Sequence, residues 1–183
     1  GWDVYRFLDE QLTHSDLGNR FEFHYVGNVP QNIQIQSIIS HLPVAGTELA
    51  SLLGMGDVYI TASQHEPAGM HHIEAALCGL PILYRESGAL PEYCESYGVG
   101  FSGVDDVLAS LERLTNSYNM YQERLKGYPH TSERMCREYV ELFEQLLSQK
   151  QVILSRRASG HTSNLSQLRD QIQMTVYDLM DRF

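Results

Sequence analysis

Basic side chains are scarce in this 183-residue chain, where 13 Lys and Arg stand against 23 Asp and Glu and leave a formal net charge of -10. A surface of that sign repels a phosphate backbone, so no nucleic-acid groove is expected. Nowhere do about 18 apolar residues follow one another, and the N-terminus carries no basic stretch leading into an apolar one. Neither a membrane span nor a signal peptide is therefore expected. Cysteine is limited to Cys78, Cys94 and Cys136, an odd number without any CxxC pair. That pattern argues against a disulfide framework and fits reduced thiols in a cytoplasmic protein. Internal repeats and low-complexity tracts are absent. What remains is a composition 43% hydrophobic and 20% charged, enough apolar material for one ordinary core.

Over the first two thirds, short apolar runs alternate with segments of helical period, and Gly and Pro punctuate them. Helices are predicted over Asp3 to Leu12, Thr47 to Leu53 with Thr47 as N-cap, Gly69 to Cys78 stopped by Gly79, Pro91 to Tyr97 and Val104 to Leu114. Strands are predicted over Phe21 to Val26, the short Ile38-Ile39, Asp57 to Ala62, Pro81 to Tyr84 and Val99 to Phe101. Strands that return after helices make a parallel sheet, and the expected class is α/β, a Rossmann-like parallel sheet flanked by helices. From Tyr118 the pattern is helical only, with Tyr139, Leu142, Phe143, Leu146 and Leu147 on one apolar stripe. The expected organisation is a domain over 1–148, a linker over 149–163 whose polar core is Ser155 to Ser163, and an amphipathic helix over 164–183.

Chemistry concentrates in Ser63 to Leu83, SQHEPAGMHHIEAALCGLPIL, directly after a buried strand. Ligands of open parallel sheets bind outside the carboxyl ends of the strands, where Glu66 lies in the turn. Ala68, Gly69 and Met70 then present unpaired N–H groups at a helix N-terminus, a place that favours an anion such as a diphosphate. Glu74, about one turn past Met70, reaches the same crevice as an acceptor for paired hydroxyls. Two carboxylates beside an anion nest point to a nucleotide sugar.

The seven-residue spacing of Glu66 and Glu74, with Glu66-Pro67-Ala68-Gly69, Cys78-Gly79-Leu80-Pro81 and Gly88-Ala89-Leu90-Pro91-Glu92 around it, resembles the E-x7-E signature of retaining glycosyltransferases of family 4. These have the GT-B fold. Tyr25-Val26-Gly27 and Leu42-Pro43 occupy places similar to that family's second and third strands, so the resemblance covers roughly residues 1–147. It implies the donor-binding, C-terminal half of a two-domain enzyme that moves a hexose from a nucleoside-diphosphate sugar, without metal or other cofactor, to an acceptor held by an N-terminal domain. By the same resemblance Glu66 is the catalytic-site residue on the donor sugar's hydroxyls, and the Ala68, Gly69 and Met70 amides meet sugar and phosphates. Glu74 takes the ribose, and the base lies near Leu42 and Pro43. The family's basic phosphate clamp is expected in a strand ahead of Gly1, and Ala89 stands where the family often has a second Gly.

Other readings of the same residues stay open. A non-catalytic nucleotide or nucleotide-sugar binding module, or a GT-B-like nucleotide-sugar epimerase, would use a similar crevice. His65, His71, His72 and Glu74 are suitable ligands for zinc, but adjacent helical histidines point about 100° apart and only one is expected to face the crevice. Arg85 is expected to pair with Glu86 or water. Tyr5, Tyr25, Tyr59, Tyr84 and Tyr139, like Trp2, are expected in packing.

Overall fold

The structure, a computed structural model, describes residues 1–161, and side chains through residue 157. It divides into a unit Gly1–Thr131 and a second that begins at Ser132. The first unit is α/β. Helix α1 (Trp2–His14) and the single turn α2 (Leu17–Arg20) precede β1 (His24–Val26) and β2 (Ile39–His41). Helix α3 (Gly46–Leu53), β3 (Tyr59–Thr61), α4 (His71–Leu77), β4 (Ile82–Arg85) and α5 (Leu90–Cys94) follow, and a 3-10 turn at Glu95–Tyr97 leads into β5 (Gly98–Phe101). Helices α6 (Val107–Asn116) and α7 (Tyr118–Leu125) close the unit. All strand pairs are parallel: β1 with β2, and β3, β4 and β5 in that order, with Ile82 opposite both Tyr59 and Gly98.

Burial follows the two-residue period of β4, whose successive side chains serve opposite faces. Leu83 packs into a cluster with Val4 and Leu8 of α1, Phe101 of β5, and Val107, Leu111 and Leu114 of α6. Ile82 and Tyr84 pack instead with Ala76 of α4, Leu90 and Cys94 of α5, Leu125 and Tyr128. Helices therefore cover both faces of the three-stranded sheet, and the carboxyl ends of its strands stay open for the loops that carry the candidate site.

Several expectations are corrected at the ends of elements. Helix α3 starts at Gly46 with Ala45 as its N-cap, and the Thr47 carbonyl accepts from Ser51 Oγ within the helix, so Thr47 is no cap. Between β1 and β2 the chain crosses as a loop over residues 27–38. Its end is pinned by Asp9 of α1, a carboxylate only 5% exposed. Oδ1 accepts from the N–H of Ser37 and Ile38, and Oδ2 from that of Gln36, each at 2.8 Å. One carboxyl side chain thus satisfies three backbone donors that a regular crossover would have satisfied internally. Asp9→Asn keeps one acceptor oxygen and places an amide donor against a backbone donor. It should lower unfolding stability by about 1 to 2 kcal/mol in urea titration.

In the second unit, α8 (Ser132–Ser148) and α9 (Lys150–His161) are helical. Helix α9 runs through Ser155 to His161, where the polar composition suggests a linker; Arg156, Arg157 and Ala158 are good helix formers. The stripe on α8 is exposed, and Tyr139, 52% accessible, is not a packing residue like the other tyrosines. The amphipathic helix expected over 164–183 lies outside the described residues.

Candidate active site

Glu66 lies in the loop between β3 and α4, and a second loop holds it. Because β3 and β4 are parallel neighbours, the loops that leave them emerge side by side at the same end of the sheet. His65 N–H donates to Ser87 Oγ at 2.9 Å, and Ala89 N–H donates to the Glu66 carbonyl at 2.8 Å. Gly88, at φ +61, lies so close that a Cβ there would overlap the Glu66 carbonyl oxygen and stand 2.6 Å from its nitrogen. His65 itself holds φ 54, uncommon for a residue with a side chain. A strained loop clamped by a glycine turn fixes the Glu66 backbone, while its carboxylate keeps 21% exposure. The Gly88-Ala89 segment is visible in the sequence, yet its contact with Glu66 is not, since only the pairing of β3 with β4 brings the two together.

The helix after this loop begins later than predicted, at His71, with Met70 as N-cap. Ala68 and Met70 are exposed, and among the described residues no protein acceptor pairs with the N–H groups of Ala68, Gly69 or Met70. Glu74 is exposed on the first turn, its N–H on the Met70 carbonyl at 2.9 Å. The adjacent histidines diverge as the helical angle requires. His72 is fully buried against the ring of Tyr93 with neither ring nitrogen paired, and burial above all pushes its pKa down to about 4. A neutral His72 is a core residue at physiological pH. His71 turns the other way, with Nδ1 3.1 Å from Tyr59 Oη and Nε2 3.6 Å from Glu66 Oε2.

His71 and Glu74 line a cleft of about 940 Å³, together with Gly27 after β1 and Pro43 after β2. Its lining also includes the apolar side chains of Phe23, Val58 and Ile60 and the ring of Tyr25. Among the described residues β1 pairs only with β2, and β3 only with β4, so each presents one unpaired edge. Of the remaining site residues, Leu42 is 81% exposed and is not part of the cleft wall. Glu66, Ala68, Gly69 and Met70 also lie outside that wall. Arg85 pairs through its guanidinium with Asp3 at the start of α1, Nη1 to Oδ2 at 2.9 Å, and not with Glu86. Burial alone would raise the Asp3 carboxyl, but the hydrogen bond and charge of Arg85 outweigh it and hold it below its ordinary value. Arg85 thus ties β4 to α1, a contact across 82 residues of sequence that local reasoning cannot find. No helix among the described residues is long and apolar enough to cross a membrane.

Proteins similar to this chain include several with sugar-transfer names. The chain is 29% identical over 117 residues to a glycogen synthase of Flavobacterium johnsoniae, which covers 56% of this chain and 25% of that protein. It is 23% identical over 160 residues to the N-acetyl-alpha-D-glucosaminyl L-malate synthase of Bacillus anthracis, covering 79% of this chain and 42% of that one. Among solved structures, a sucrose-phosphate synthase from Thermosynechococcus elongatus superposes with a TM-score of 0.51 at 19% identity, over 61% of this chain and 31% of that one. This likeness extends to the fold: α/β, with parallel sheets flanked by helices, as in one Rossmann-like half of a GT-B protein. The chain spans a quarter to two fifths of the length of these curated relatives. Residues 26–126, which include both glutamates, the Gly88 turn and the strands that bring them together, match the model of glycosyl transferases group 1, and the chain belongs to that family.

Proposed function

We propose that this chain is the donor-binding part of a retaining, metal-independent hexosyltransferase of the cytoplasm, taking its sugar from a nucleoside diphosphate. The observation that carries this reading is the clamped Glu66 loop, which leads directly into three unpaired N–H groups and a carboxylate one helical turn on. Breaking the sugar–phosphate bond develops positive charge on the ring and negative charge on the departing diphosphate. Fixed N–H dipoles from Ala68, Gly69 and Met70, already oriented before reaction, stabilise that leaving group. Glu66 accepts hydrogen bonds from sugar hydroxyls and orients the ring, Glu74 accepts from the ribose, and the base rests towards Leu42 and Pro43. Group 1 membership supports the donor class.

Transfer needs an acceptor site, which we assign to a separate N-terminal domain. The unpaired edges of β1 and β3, strands whose residues line the same cleft, also suit one further extended segment that would join the two sheets into one. By itself this chain is expected to bind nucleoside diphosphates weakly and to show no turnover. Titration calorimetry with UDP, ADP and GDP tests the nucleotide half of the reading. Glu74→Ala should weaken the best of the three by about 1.5 kcal/mol, roughly tenfold, as the loss of a charged acceptor implies. Equal affinity of variant and parent would remove Glu74 from the site.

A further inference from the structure

We infer that His71 is a positioning residue for Glu66, holding its carboxylate through a fixed Tyr59–His71–Glu66 arrangement. The inference rests on the proposed role of Glu66 at the donor sugar. His71 is the first residue of α4 and lies between two oxygens on opposite sides of its ring: Tyr59 Oη, 3.1 Å from Nδ1, and Glu66 Oε2, 3.6 Å from Nε2. A neutral imidazole has one N–H and one lone pair, and its neighbours decide which nitrogen carries which. A carboxylate only accepts, so in the neutral ring the charge of Glu66, 3.6 Å away, favours the proton on Nε2. Nδ1 then presents its lone pair to Tyr59, whose hydroxyl is able to donate. The reverse tautomer would set a lone pair against the carboxylate and is disfavoured on electrostatic grounds.

The surroundings keep the ring in place. Tyr59 belongs to β3, so the outer partner is fixed by the sheet rather than by the loop. His72, on the next helical position, is buried, which sets the rotation of this turn and turns His71 away from the core. Gly69 supplies the space: a Cβ there would stand 2.8 Å from His71 Nε2 and 3.0 Å from Glu66 Cδ. The glycine of the Glu66-Pro67-Ala68-Gly69 turn is therefore needed by the His71–Glu66 approach as well as by any ligand. The remaining contact of the ring, with His72 at 5.1 Å between centroids, is edge-on and adds no acceptor. With the backbone of Glu66 held by Gly88 and Ala89 and its carboxylate facing His71, the arrangement limits the rotamers from which Glu66 meets a sugar hydroxyl.

The test uses this chain and two readouts. Long-range 15N–1H spectra of the imidazole should show His71 in the Nε2–H form, becoming a tautomer mixture in Tyr59→Phe. An Nδ1–H signal in the parent would overturn the assignment whatever the ligands do. In calorimetry, UDP-, ADP- and GDP-glucose are compared with the corresponding bare diphosphates. For the best pair, His71→Phe should lower affinity for the nucleotide sugar about tenfold more than affinity for the bare diphosphate, both measured at a temperature where the variant is folded. His71→Gln, which places an amide N–H near the position of Nε2, should restore most of it. If Glu66→Gln lowers the sugar's contribution and His71→Phe does not, His71 has no positioning role and the reading of Glu66 stands. If no nucleotide sugar gains affinity over its diphosphate, or Glu66→Gln has no effect on the gain, the donor reading fails and the inference fails with it.

Discussion

Glu66→Gln is expected to lower kcat/KM for the complete donor by about 2 kcal/mol or more, at least thirtyfold, in the transfer-competent protein. Its affinity for the bare nucleoside diphosphate should stay almost unchanged. The substitution preserves size and removes the charge that makes Glu66 a strong acceptor of sugar hydroxyls. Its backbone remains held, because the bond from Ala89 N–H goes to the Glu66 carbonyl and the Gly88 contact involves main chain only. Glu74→Gln is the control and should weaken both ligands, since the ribose is common to them. If Glu66 served only to stabilise the turn ahead of α4, its replacement would cost about 1 kcal/mol of folding stability and leave donor kinetics near those of the parent. Kinetics and melting on the same variant separate these outcomes.

Gly88→Ala should have the largest effect on stability, about 3 kcal/mol. Two costs add. At φ +61 an alanine loses about 1 kcal/mol through contact of its Cβ with its own backbone. The same Cβ also meets the carbonyl oxygen and the nitrogen of Glu66, so the Glu66 loop must move away from the turn. Gly79→Ala isolates the first cost. Its φ is +84, but nothing lies within 4 Å of the added carbon, so it should lose only about 1 kcal/mol. The difference between the two variants in chemical denaturation measures the clasp itself. Gly88→Ala should also lose transfer activity at temperatures where it remains folded, because Glu66 has shifted. Equal stability losses for Gly79→Ala and Gly88→Ala would show that the loops do not hold one another.

The order of strands and helices through the first unit was legible because burial imposes a period, and the two faces of β4 answer to Leu83 on one side and to Ile82 and Tyr84 on the other. Ends of elements were less legible. The apolar run Phe21 to Val26 yields only three strand residues, since the β1–β2 ladder begins with the bond from Ile39 N–H to the Phe23 carbonyl and Phe21, ahead of it, only packs. Thr47 has the chemistry of a cap, but the chain enters α3 one residue earlier through Gly46 at φ +60. No element was predicted between Val26 and Ile38, and the loop that crosses there is held at its end by Asp9, from an element far away in sequence that local pattern does not reveal. In the site, the residue types and the seven-residue spacing of Glu66 and Glu74 were readable from local pattern. The clasp on Glu66, the turn of His71 towards Tyr59 and the pairing of Arg85 with Asp3 were not. Each joins parts of the chain that only the fold brings together.

The central claim is that the turn from Ala68 to Met70 receives the diphosphate, and amide chemical-shift mapping tests it most directly. Uniformly 15N-labelled chain is titrated with UDP, ADP and GDP in turn, and backbone N–H resonances are followed to saturation. An anion received by unpaired N–H groups draws their protons into new charged hydrogen bonds, so the resonances of Ala68, Gly69 and Met70 should move most, with Glu74 next. Saturation by any of the three nucleotides with those amides unmoved, or no binding by any of them, would contradict the account.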